Sequence, residues 1–134
     1  LDMDGVDYWI WKNLDVVHPR VVVVEYQDIL GPDNAVTVPY SPDFVAPHSD
    51  SPTTGTPIDY CGASLSAFVK LGREKGYRLV GVNKYGFNAF FVKSGIAEKW
   101  LPEIEVDACF SHPKVIWGMK VRQPRVKDLE WVEV

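Results

Sequence analysis

The sequence predicts an α/β domain with a sheet that is at least partly parallel. Three observations predict it. Four consecutive valines in VVVVEYQ (21–27) do not alternate with polar residues, the pattern of an interior parallel strand buried on both faces. SLSAFVKLGREKG (64–76) repeats apolar residues at helical spacing between a capping serine and a terminating glycine. YRLVGVN (77–83) and FNAFFVK (87–93) are strand-like runs flanking the turn KYG, close enough to be antiparallel neighbours.

The elements follow in order. LDMDG (1–5) reads as the carboxylate-bearing end of a buried strand. Asp7 to Leu14 reads as a helix capped by Asp7, with Tyr8, Trp11 and Leu14 on one face and Ile10 beside them. HPR (18–20) ends it, because a residue before proline leaves the helical region. A crossover from strand 1–4 to strand 21–27 through that helix is a right-handed βαβ unit. Six of the ten prolines lie in 28–59, an insertion without expected regular structure, of a length typical of lids and binding loops. Its Val36, Val38, Tyr40, Phe44 and Val45 suggest that it packs down. Ser64 caps the helix of 63–75, whose stripe is Leu65, Phe68, Val69 and Leu71, and Gly76 closes it. A short helix over 95–101 stopped by Pro102 is expected next, then an added strand in KVIWGMKVRQ (114–123). Residues 1–96 thus make one unit, and 97–134 an extension packed on it.

The net charge of −4 and a pI near 5.3 argue against nucleic acid or an anionic membrane as partner, since both demand a concentrated positive field. No apolar run approaches the roughly 20 residues of a membrane span, and no signal peptide is visible. Cys61 and Cys109 form no metal-binding spacing and read as two buried thiols in a reducing cytoplasm.

The order strand, helix, strand, insertion, helix, strand, tight turn, strand resembles the C-terminal half of the class I S-adenosylmethionine-dependent methyltransferase fold, strands four to seven. DMDG (2–5), VVVVEY (21–26) and YCGASLSAFVKLGREKGYRLVGVN (60–83) are similar to segments of FkbM-like methyltransferases, a likeness that covers residues 1–93. The implied fold is a partial Rossmann-like sheet with a Pro-rich insertion and a C-terminal extension. The implied activity of a full-length parent is methyl transfer to an oxygen of a small molecule or sugar. The glycine-rich loop that holds the cofactor's amino-acid end in that fold is absent here, as is the acidic residue that would bind its ribose. The expectation is therefore a truncated chain, inactive alone and marginally stable, with strand 1–4 an exposed edge inviting homodimers. A complete small α/β binding or dimerisation module, or a metal-dependent hydrolase, are the alternatives.

Parallel α/β sheets place ligands beyond the carboxyl ends of their strands. Asp4 and Glu25 fall at two such ends. They could hold a hard cation such as Mg²⁺, or one could be a general base with its pKa raised by the other. Some sugar O-methyltransferases resembling this fold bind a metal with carboxylates placed so, which makes Asp2, Asp4 and Glu25 a candidate trio. Asp2 is also the tentative cofactor-side residue. The structural alternatives are that Asp2 satisfies backbone donors, Asp7 caps the helix and Glu25 pairs with a base. Tyr26 reaches toward the same crevice, to stack on a ligand or to pack the core, and Tyr60 is equally ambiguous. Asn83 and Asn88 read as turn formers. His18, His48 and His112 read as structural, with His48 worth testing because it lies in the insertion. Ser64 sits in no nucleophile elbow. Lys114, Lys120, Arg122, Arg125 and Lys127 read as a solvated face, with a surface for an anionic substrate or a partner as the alternative.

Overall fold

A computed structural model describes residues 1–47 and 56–134. His48, with the neighbouring Ser49 and Asp50, lies outside the described residues. The rest is mixed α/β, with three helices and two small antiparallel sheets.

The chain enters through a tight turn. Asp4 (φ 54°) and Gly5 (φ 144°) both take positive φ, and α1 (Asp7–Asn13) begins two residues later. β1 (Val21–Glu25) is followed by a 3-10 turn at Asp28–Leu30 and by β2 (Val36–Thr37). Next come α2 (Leu65–Glu74), β3 (Tyr77–Val82) and β4 (Asn88–Lys93). A 3-10 turn at Val106–Phe110 leads into α3 (Pro113–Val121), and β5 (Val132–Glu133) pairs with β2.

β4 lies between β1 and β3, antiparallel to both, so β1 and β3 run parallel to each other. The expected antiparallel pairing of 77–83 with 87–93 is present. Asn83 makes its turn: its side-chain oxygen accepts from the N–H groups of Phe87 (2.8 Å) and Asn88 (3.2 Å). Gly86 (φ 77°) completes the turn where an L residue would be strained.

Residues 1–4 form no strand, yet Leu1 hydrogen-bonds β1 as a parallel neighbour would. Its amino group donates to the Val23 carbonyl (2.5 Å), and the Glu25 N–H donates to the Leu1 carbonyl (3.0 Å).

β1 departs from the expected burial on both faces. Val24 is fully buried, whereas Val21 and Val23 are 52% and 36% exposed. The cause is that both neighbouring helices cover the same face. Trp11 of α1 meets Phe91 (5.2 Å between centroids) and Phe68 of α2 (6.2 Å) there. A Cβ at Gly72 of α2 would stand 3.1 Å from the Phe91 ring, so helix and sheet approach closely. Leu65, Phe68, Leu71, Leu79 and Phe91 are buried in this core, each worth roughly 1.5–3 kcal/mol of apolar transfer.

α2 forms as its sequence dictates. Ser64 accepts from the Ala67 N–H (3.1 Å), and Gly76 (φ 80°) turns the chain out of the helix. α1 differs in its cap. Val6 holds the N-cap position without a side-chain bond, and Asp7 accepts instead from the N–H groups of Met3 (2.9 Å) and Gly5 (3.2 Å). The backbone-satisfying role considered for Asp2 therefore belongs to Asp7.

Two C-terminal expectations are corrected. Residues 95–101 make turns rather than a helix. Ala97 takes φ 54°, which breaks a right-handed helix there, and the buried Arg78 guanidinium gathers the carbonyls of Lys93, Ile96 and Leu101. Residues 113–121 are helix rather than strand. Pro113 occupies the first turn, where a missing N–H costs nothing, and His112 Nδ1 accepts from the Lys114 N–H (3.2 Å) as the cap. In the insertion Val38 is buried, while Tyr40 and Val45 are exposed. Among the described residues no helix is long and apolar enough to cross a membrane.

Candidate functional site

Two features of the chain bring acidic side chains together at the carboxyl end of β1. The Leu1–Glu25 bond sets residues 1–4 alongside the strand, and the Asp4–Gly5 turn bends the chain back over its end. Asp7 fastens that turn by its two backbone bonds. As a result one ligand atom from each of Asp2, Asp4 and Glu25 falls within 4.8 Å of the others. Asp2 and Asp4 are exposed and Glu25 is half-buried.

Burial, together with this crowding, raises the Glu25 carboxyl to about 7. Burial is the largest cause, followed by the charges of Asp2, Asp7 and Asp4 and a hydrogen bond with Asp2. A carboxyl poised there exchanges a proton near neutrality, the property a general acid or base requires.

Beside Glu25 a cleft of about 190 Å³ opens, lined among others by Asp7, Gln27, Asp59, Cys61, Phe87 and Arg122. The segment 59–63 forms its far wall and is tied to the strand end. Gln27 N–H donates to the Ala63 carbonyl (2.8 Å), and Gly62 N–H to the Gly5 carbonyl (3.1 Å). The Gln27 amide donates to the Asp59 carbonyl (3.1 Å) and toward Cys61 Sγ (3.4 Å). Burial, then the Glu25 charge, pushes the Cys61 thiol up to about 11, which leaves it protonated and a poor nucleophile. Both cysteines are free.

Arg122 closes the cleft from the C-terminal extension. Its Nε and Nη2 donate to Asp59 Oδ1 (3.0 and 2.5 Å), and its Nη1 stands 3.7 Å from Asp28 Oδ1. Lys114 donates to Asp28 Oδ2 (2.8 Å). Asp28 and Asp59 are 1% and 3% exposed. Lys114, Arg122 and Arg125 thus belong to an ion network around two buried carboxylates, a correction to the solvated face expected of them.

Tyr26 packs rather than opens to solvent. It is buried, and its ring meets Phe110 edge-on at 6.4 Å. Its hydroxyl has no hydrogen-bond partner among the described residues, and burial raises its pKa. Tyr60 sits away from α2, its hydroxyl donating to the Glu130 carbonyl (2.6 Å) and its ring against Trp131.

The structure therefore brings together Asp2, Asp4 and Glu25, the trio the sequence singled out, and sets Tyr26 and Asp7 beside them. Sequence reasoning missed Asp59 and Arg122, which stand 63 positions apart. No local pattern announces such a pair.

Comparison of the chain with protein-family models, with curated proteins and with solved structures gave no match.

Proposed function

We propose that residues 1–93 are the back half of a domain resembling class I S-adenosylmethionine-dependent methyltransferases. In this reading the carboxylates at the end of β1 serve methyl transfer to an oxygen of a small molecule or sugar. The convergence of Asp2, Asp4 and Glu25 at a strand end beside a cleft is the observation that carries the reading. The parallel hydrogen bonding of Leu1 to β1 and the antiparallel pair β3–β4 support it, being features the resemblance implies.

The described residues do not fit S-adenosylmethionine by themselves. No G-x-G turn follows a strand, and the positive-φ glycines stand singly at separate turns. The cofactor would be held by sequence outside this chain, and the chain alone would transfer nothing. A divalent cation fits better, since three carboxylate oxygens in reach of one another suit Mg²⁺. Asp4 and Glu25 would hold it, with Asp2 beside them. Bound there, such an ion would polarise an acceptor hydroxyl. Glu25 would accept the hydroxyl proton or orient the group, and the cleft would fix the acceptor so that positioning supplies most of the rate.

The test is transfer of labelled methyl from S-adenosylmethionine to small hydroxylated acceptors. The enzyme assayed would be the polypeptide encoded together with its reading frame upstream of Leu1. Transfer that is lost in Glu25→Gln supports the reading; absence of both binding and transfer removes it. Turnover that needs Mg²⁺ but no methyl donor would point to a hydrolase built on the same trio.

A second reading has its own observation. Along the outer edge of β1 runs a groove of about 400 Å³ of mixed character, lined by Trp11, Leu14, Val21 and Tyr77 and also by Asp15 and Lys75, among others. A binding or dimerisation module without cofactor would use that edge, as exposed strand edges invite pairing. A monodisperse dimer disrupted by Val21→Lys would favour it.

A further inference from the structure

We draw no further inference here: the strongest candidate, the groove along the outer edge of β1 between Leu1 and Tyr77, with Val17, Val21 and Val23 exposed beside it, carries nothing, because nothing in the structure shows what covers it.

Discussion

The backbone N–H of Glu25 donates to the carbonyl of Leu1 at 3.0 Å, and this bond sets the opening residues beside the strand whose end gathers three carboxylates. With the register fixed there, Asp2 and Asp4 have little choice but to stand by the Glu25 carboxylate. Burial first, and then the charges of Asp2, Asp7 and Asp4, raise the proton affinity of Glu25.

That raised proton affinity predicts a pH dependence of stability. Glu25 binds its proton more tightly folded, at about 7, than at the ordinary 4.5. Its contribution is therefore fully present below 4.5 and is lost as pH rises through about 7. Allowing for solvent screening at a half-buried site, the loss is on the order of 1–2 kcal/mol. Urea unfolding of wild type and Glu25→Gln at several pH values checks this. The variant should lose the decline over that window and be the more stable of the two above it.

Ser64 carries two backbone donors, the N–H groups of Ala67 and Val36, both at 3.1 Å. Ser64→Ala should cost about 1–2 kcal/mol, measured by urea midpoint. Ser64→Thr should retain most of the stability.

The ion network makes a sharper prediction. Arg122→Met leaves Asp59, 3% exposed, with a charge no longer hydrogen-bonded to a guanidinium. A loss of about 3 kcal/mol is expected. The double variant Arg122→Met/Asp59→Asn should recover a large share of it, because the uncompensated charge is then gone. A double-mutant cycle by chemical denaturation measures the coupling.

Gly86 lies where the β3–β4 turn meets α3. It takes φ 77°, and a Cβ there would fall 2.7 Å from Val115 Cγ2 and 3.2 Å from Asp28 Cβ. Gly86→Ala should destabilise by about 2 kcal/mol or more through strain and collision together. A drop in Tm with loosened packing of Val115, followed by methyl NMR, is the expected signature.

Much of this architecture was legible from local signals. Ser64 and Gly76 bracket α2, and the KYG turn fixes the β3–β4 pair, because caps and tight turns are set by neighbouring residues. That Asp2, Asp4 and Glu25 stand together was legible too, although Asp2 and Asp4 reach Glu25 from a turn beside β1 rather than from a second strand end. Errors arose where long-range contacts decide. The valine run suggested two buried faces, but both helices lie on one of them. The weak alternation of 114–123 hid a helix whose start, His112–Pro113, was the better signal. Residues 95–101 have helical composition, yet Ala97 takes φ 54° and the Ile96 and Leu101 carbonyls turn to Arg78. Asp59 and Arg122 could not be paired by inspection, because each resembles an ordinary surface charge in sequence.

The most direct test of the central claim, that the end of β1 is a chemical centre built on Asp2, Asp4 and Glu25, is a Mn²⁺ titration. Mn²⁺ serves as the paramagnetic stand-in for Mg²⁺, and relaxation of backbone amides locates it. The account predicts one saturable site that broadens the amides of residues 2–5 and 25–26 first, is competed by Mg²⁺ and is lost in Asp4→Asn and Glu25→Gln. Broadening spread evenly over the acidic surface, or unchanged in both variants, would contradict it.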